Sequence, residues 1–253
     1  MSHAGRIAVV TGAGQGIGAA IARALAARGA RVAVLDVNAG HAAAVAAEIG
    51  GVPAACDVAD YAAVDAACAA IEAALGAPDI LVNNAGISPK HAAGGQGGAP
   101  APVHAMDPAE WNRVVGVNLT GAWNMIRRLS PGMVAARRGA IVNQSSIAAK
   151  AFVPFVGAHY AATKAALIGL TRHVAGELGP HGITVNAIAP GRIDTPLMRT
   201  VDPATNEAIV AATALRRLGT PEDVAAMVCF LTGPDAAFVT GQTVDVAGGW
   251  MMS

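Results

Sequence analysis

Short runs of apolar, often β-branched residues alternate with helical patterns along this chain, and that alternation constrains the fold more than any other feature. The strand candidates are Ile7–Thr11, Arg31–Asp36, residues 52–58, 80–82, 140–142 and 183–188, and Thr243–Val246. Residues 16–28 place Ile17, Ala20, Ile21, Ala24 and Leu25 at helical spacing and stop at Gly29. An Ala-rich stretch then runs to Ile49, and Tyr61–Leu75 and Ala158–Leu178 read as further helices. Strands that are apolar on both faces must be covered on both faces, which is the condition of a parallel sheet. Right-handed crossovers turn such a sheet into an α/β fold, a Rossmann-type doubly wound sheet with helices on both faces. No shift in composition divides residues 1–253, so one domain is expected. Two segments break the rhythm: a Gly/Pro/Ala-rich loop at about 87–106 and a weakly periodic flap at about 192–217. Irregular insertions of this kind are often functional.

Composition narrows the class of partner. Lys plus Arg equals Asp plus Glu, 17 against 17, so no net field draws nucleic acid or an anionic membrane. Hydrophobic residues reach 54% and charged residues only 13%. A chain so apolar must hide much of its surface, which points toward oligomerisation. Cys56, Cys68 and Cys229 show no CxxC spacing and suit reduced core thiols, and the histidines show no HxxxH or HxH pattern, so no metal site is expected. The apolar run entered at Ile7 is too short for a signal peptide, and no stretch of 18 apolar residues suggests a membrane span. A soluble cytoplasmic protein is the expectation.

The turn between the first strand and the first helix reads TGAGQGIG, residues 11–18. Its glycines, Gly12, Gly16 and Gly18, allow a tight turn and let the backbone approach a pyrophosphate at the helix N-terminus. The spacing is G-x-x-x-G-x-G rather than strict G-x-G-x-x-G, so position after a strand and before a helix carries the argument. Asp36 closes the second strand 18 residues after Gly18, where a dinucleotide fold places the acid that accepts hydrogen bonds from the adenosine ribose hydroxyls. A 2′-phosphate there would meet that carboxylate, and neither Gln15 nor Val37 offers it a cation. NAD(H) is therefore expected in preference to NADP(H). Further along, Tyr160 and Lys164 stand at i and i+4 on one face of a helix, downstream of Ser145 and Ser146 at a strand end.

Taken in order, these pieces resemble the short-chain dehydrogenase/reductase (SDR) family over nearly the whole chain. The matching segments are TGAGQGIG (11–18), Asp36, CDV (56–58), NNAG (83–86), VNLTG (117–121) and IVNQSS (141–146). They continue with YAATK (160–164), NAIAPG (186–191), Thr195 and TGQTVDVAGG (240–249). The resemblance implies a catalytic set of Asn118, Ser146, Tyr160 and Lys164. Tyr160 would be the general acid/base and Ser146 would hold the substrate oxygen. Lys164 would bind the nicotinamide ribose and lower the tyrosine pKa, and Asn118 would support a water-linked proton relay. The implied cofactor contacts are Gly12, Gln15, Gly16, Ile17, Gly18, Asp36, Asp57, Val58, Asn84, Ala85, Gly86, Tyr160 and Lys164. Pro190, Gly191, Ile193 and Thr195 would complete them at the carboxamide. The implied activity is hydride exchange between a nicotinamide and a secondary alcohol, polyol or hydroxyacyl compound or its ketone. A 3-oxoacyl-[acyl-carrier-protein] reductase is the nearest alternative, a non-catalytic NAD sensor a remote one, and a homotetramer the implied assembly.

Elementary electrostatics fits those roles. Moving a tyrosine from ~10 to near neutrality takes ~3 pH units, or ~4 kcal/mol. A cation ~4 Å away supplies about that at an effective dielectric of ~20. One departure from the family pattern is the distance from Ser146 to Tyr160, 160 − 146 = 14 positions, one more than the commonest spacing. The extra residue is expected in the 151–158 loop, where Phe152, Val153, Phe155 and Val156 would wall a substrate pocket. His159 points about 100° away from Tyr160 on a helix, so a surface or packing role is expected. Lys90, His91 and Lys150 are candidate contacts for an anionic substrate, and Arg216 and Arg217 for an acyl carrier, although solvated surface charge is the simpler reading of each.

Overall fold

The computed structural model describes residues 2–91, 98–195 and 203–252. Seven parallel strands form one sheet in the order β3-β2-β1-β4-β5-β6-β7: β1 Ile7–Thr11, β2 Arg31–Asp36, β3 Val52–Ala55, β4 Ile80–Asn83, β5 Gly139–Gln144, β6 Ile183–Pro190 and β7 Thr243–Val246. The helices are α1 Gly16–Ala26, α2 Ala39–Ile49, α3 Tyr61–Leu75, α4 Pro108–Val115, α5 Gly121–Ala136, α6 Ala158–Leu178, α7 Pro203–Ala212 and α8 Pro221–Thr232. This is the doubly wound Rossmann arrangement that the strand pattern implies.

The five inner strands divide their side chains between two cores, which is why they read as continuous apolar runs. Ala8, Val10, Val32, Val34, Ile80 and Val82 face α1, α2 and α8. Val9, Ala33, Leu35, Leu81 and Ile141 face α3, α5 and α6. Ile21 and Leu25 of α1 are fully buried, each worth ~1.5–3 kcal/mol of apolar burial. Strand order reverses between β1 and β4, and in open α/β sheets ligands bind beyond the carboxyl ends of strands at that point.

Several boundaries differ from the sequence pattern for local reasons. The strand expected over 52–58 stops at Ala55. Asp57 turns the chain there, its carboxylate accepting the Ala59 amide at 2.9 Å. The helix expected over 16–28 ends at Ala26 and leaves through Gly29, whose φ is +93°. Strands β5 and β6 run longer than the expected 140–142 and 183–188. Helices α4, α5 and α8 are not among those expected from the sequence pattern, yet α4 and α8 have legible starts. Asp107 caps α4 ahead of Pro108, and Thr220 with Asp223 forms a capping box on α8. In the expected 192–217 flap the described part contains α7; residues 196–202 and the 92–97 part of the expected loop lie outside the described residues.

Candidate active site

The Gly-rich turn is built so that its backbone faces an open crevice. Gly12 has φ +61°, and a Cβ there would come within 2.8 Å of Ala85 Cα; a Cβ on Gly18 would collide with the Gly12 carbonyl. Gln15 caps α1 without a side-chain hydrogen bond, and the first turn carries no acidic residue. The helix thus presents uncapped amides and the positive end of its dipole, a fit for a dinucleotide pyrophosphate. Thr11 and Asn84 lock this turn to the end of β4. The Thr11 hydroxyl accepts the Asn84 and Ala85 amides at 3.0 Å each, and Asn84 Nδ2 donates to the Thr11 and Gly12 carbonyls at 2.8 and 2.9 Å. The Asn84 side chain is therefore engaged in holding the turn.

Asp36 stands beside the turn, its carboxylate accepting the Gly14 amide and the Asn38 amide at 2.9 Å each. The cap of α2 is Asn38, which accepts the His41 amide, so Asp36 is not a helix cap. Asp57 is exposed, whereas Val58 is buried against Gly121 in the core, its carbonyl accepting from Asn124 at 2.8 Å. On the other side of the crevice, Pro190 ends β6, and Gly191 lies where a Cβ would meet Ala247 at 2.9 Å. Ile193 is packed inward and Thr195 borders the cleft.

The crevice continues into a cleft beyond the ends of β4, β5 and β6, with Ile17, Pro190, Gly191, Ile193 and Thr195 shared between them. Ser146 and Tyr160 both line the cleft. Ser145 also borders the cleft, but its hydroxyl donates to the Lys164 carbonyl at 2.7 Å and anchors α6. A buried polar seam fixes the same helix. Asn83 donates to Asn143 at 2.8 Å, and Asn143 donates to Thr171 at 2.9 Å. Such a seam has one satisfied arrangement, so it sets the rotation of α6 and with it Tyr160 and Lys164.

Lys164 Nζ donates to the Gln144 carbonyl at 2.6 Å and lies 5.6 Å from the Tyr160 ring centre. Burial pushes Lys164 down to about 8. The depressed tyrosine pKa expected from the sequence is not present in the protein alone: burial pushes Tyr160 up, opposed by the hydrogen bond with Ser146. Desolvation wins because the lysine charge is directed at a backbone carbonyl, not at the phenol. Asn118 sits on a single π-helical turn, Gly116–Thr120, between α4 and α5. Its Oδ1 accepts the Ile87 amide at 2.8 Å, and its Nδ2 donates to the Ile87 carbonyl and Thr163 at 3.0 and 3.3 Å. With the side chain so occupied, any relay through Asn118 must use its main-chain carbonyl. Such π-turns recur at functional sites.

The expected apolar wall is partly realised. Val153, Phe155 and Val156 line the cleft, but Phe152 is 91% exposed. Trp250 completes the wall, stacked on Phe155 at 6.5 Å between ring centres; it lies beyond the last matching motif, and no sequence signal marks it. His159 is fully buried, which overturns the surface alternative and leaves packing. Its Nδ1 accepts the Tyr160 amide at 2.7 Å and its Nε2 meets Glu110 at 3.0 Å. Glu110 also pairs with His91 at 2.8 Å, an element of the site that the sequence reading missed. Of the other cations, Lys150 pairs with Asp245 at 2.7 Å and Arg217 with Asp223 at 2.5 Å, while Lys90 and Arg192 line the cleft.

Comparison with known proteins gives this geometry a family. The profile of the family described as Enoyl-(Acyl carrier protein) reductase matches residues 12–251. An acetoacetyl-CoA reductase of Rhizobium meliloti (strain 1021) is 43% identical over 96% of this chain and 98% of its own. This chain belongs to the short-chain dehydrogenase/reductase family. Among solved SDR-like structures, a 3-oxoacyl-[acyl-carrier protein] reductase from Brucella melitensis ATCC 23457 superposes with TM-score 0.92 at 51% identity, covering 99% of this chain and 93% of that one. A Brucella melitensis reductase of the same description with bound NAD superposes at TM-score 0.90 and 50% identity, with the same coverage. As an SDR, the protein is an oxidoreductase that interconverts a secondary alcohol and its ketone with a nicotinamide cofactor. Among the described residues, no helix is long and apolar enough to cross a membrane.

Proposed function

We propose that this SDR uses NAD(H) rather than NADP(H), with Tyr160 as general acid/base, Ser146 as the carbonyl holder and Lys164 as the ribose and relay lysine. The single observation that carries the catalytic assignment is that Ser146 and Tyr160 line one cleft while the Ser145 hydroxyl is engaged with α6. The dinucleotide supplies or accepts the hydride when bound. Ser146 and Tyr160 donate hydrogen bonds to the substrate oxygen, and in reduction Tyr160 delivers a proton to it. The Tyr160 pKa stands high in the protein alone, so a cationic nicotinamide and a reoriented Lys164 are what lower it during alcohol oxidation.

Residues 1–253 form a single NAD(P)-binding domain in this reading. Gly12, Gln15, Gly16, Ile17 and Gly18 carry the pyrophosphate, with Asp36 on the adenosine ribose. Asp57, Val58, Asn84, Ala85 and Gly86 line the adenosine side through backbone and side-chain edges. Pro190, Gly191, Ile193 and Thr195 hold the carboxamide. Exposed Trp123 on α5 and Phe238 beside β7 support a homotetramer, in a cytoplasmic enzyme; a monomer mass by light scattering would refute the assembly. A second reading, reduction of 3-oxoacyl thioesters, is favoured by the descriptions of the two Brucella structures.

The decisive experiment measures turnover of Tyr160→Phe on ketone substrates together with NADH and NADPH binding by nucleotide fluorescence. Turnover is expected to fall by ~10²–10⁴, the usual worth of a general acid, with NADH affinity kept. Unchanged turnover refutes the Tyr160 assignment, and tighter NADPH binding in the wild type refutes the cofactor preference.

A further inference from the structure

The substrate cleft has a polarity that the redox chemistry does not require. Lys90 follows β4, Ser146 follows β5 and Arg192 follows β6, and all three line the same cleft. Neighbouring strands lie ~4.8 Å apart, so the segment after β4 stands about one strand spacing to one side of Ser146 and the segment after β6 to the other. Among the described lining residues, two are permanently or readily cationic and none is Asp or Glu.

Lys90 is unlike the paired cations elsewhere on the protein. Arg6, Arg23, Arg128, Lys150 and Arg217 each reach a carboxylate within 2.5–2.8 Å. Among the described residues, Lys90 Nζ has no hydrogen-bond or ion-pair partner, although the residue is half-buried. Burial, then the nearby Arg192, pull its pKa below the ordinary lysine range. An ammonium partly withdrawn from water is unfavourable unless an anion joins it. The Ser88 hydroxyl, two residues away and also lining the cleft, is buried without a partner. Arg192 is fixed in place, its guanidinium 4.6 Å from the Phe155 ring centre and its Nε donating to Asn206 at 2.8 Å.

We propose that Lys90 and Ser88 form an anion subsite, and that the substrate is a small oxo or hydroxy acid whose free carboxylate they hold. This rests on the assignment of Ser146 and Tyr160 to the reacting oxygen. Val153, Phe155, Val156 and Trp250 cover the few carbons between the two ends. The dinucleotide phosphates do not compete for the subsite, since their cradle lies across the crevice at the Gly12–Gly18 turn. The phosphate of a pantetheine arm does not fit it either, because it hangs many bonds from the reacting thioester. A carboxylate two or three bonds from the carbonyl matches a subsite one strand away.

The test compares acids with their own esters, which differ in charge and little else. Wild type, Lys90→Met and Lys90→Arg are assayed with NADH and NADPH on acetoacetate, 4-oxopentanoate, their methyl esters and acetoacetyl-CoA. At least one acid is expected to exceed its ester in kcat/KM by about tenfold or more in the wild type, as befits a charge-assisted hydrogen bond. Lys90→Met should cut that acid-to-ester ratio by about tenfold, through KM, with Lys90→Arg restoring part of it. Turnover of ester or thioester with both acids ignored overturns the subsite and leaves the redox assignment standing. Equal losses on acid and ester in Lys90→Met, or a matching loss of NADH affinity, also overturn it. Turnover that survives Tyr160→Phe overturns the redox assignment, and the subsite falls with it.

Discussion

Glu110→Ala tests how the catalytic helix is held. His159 Nδ1 accepts the Tyr160 amide, so the ring proton sits on Nε2 and is donated to Glu110. The ring cannot turn over to spare that proton, because the Tyr160 amide would then face a second donor. Nor is there room to move: a Cβ on Gly157 would already lie 2.5 Å from His159 Cε1. Removing the carboxylate leaves a buried N–H without an acceptor, a cost of ~1–3 kcal/mol, and releases His91. At ~2–4 °C per kcal/mol for a chain of this size, a loss of ~2 kcal/mol lowers Tm by ~4–8 °C. Glu110→Gln keeps an acceptor for His159, and the exposed His91 ring can change tautomer, so about half the loss is expected or less. The assay is equilibrium or thermal unfolding of the two variants at neutral pH, alongside kcat. The hydrogen bond from His159, with that of His91, holds Glu110 below the usual carboxylate range. Its contribution is present above the unfolded glutamate pKa and lost as pH falls through the folded one, so the Glu110→Ala penalty should shrink in acid. A Glu110→Ala variant as stable as the wild type at neutral pH would refute the reasoning.

Two further outcomes are expected. Asp36→Ala should reduce the NADH-over-NADPH ratio of kcat/KM by ~10–100-fold, the worth of one or two hydrogen bonds to a charged acceptor, as read from initial rates; an unchanged ratio means another residue senses the ribose. Lys164 is pushed down to about 8 by burial, so between there and the ordinary lysine pKa the unfolded chain binds more protons. Stability of the cofactor-free wild type relative to Lys164→Met should therefore rise with pH across that window, by roughly 3 kcal/mol at most. Urea titrations at several pH values check this, and a flat difference would refute it.

Sequence alone determined the sheet and the identities at its carboxyl edge. Period-two burial on both faces needs only local composition, so Ile7–Thr11, Arg31–Asp36 and Thr243–Val246 were legible to the residue. The Gly-rich turn, Asp36 and the Tyr160–Lys164 pair were legible too, because turn geometry and helical spacing act over a few residues. Helix α5, with Pro131 inside it and its start continuing a π-turn, has no side-chain cap to mark where it begins. Tertiary structure alone decided how the neighbouring serine is engaged, the Ser145 hydroxyl donating to the Lys164 carbonyl of α6. It also buried His159 against Glu110, 49 positions away, and turned Phe152 to solvent while bringing Trp250 onto Phe155. Those outcomes depend on partners far apart in the chain. A side chain's type fixes what it can bond, but only the packed neighbours determine which of those bonds it makes.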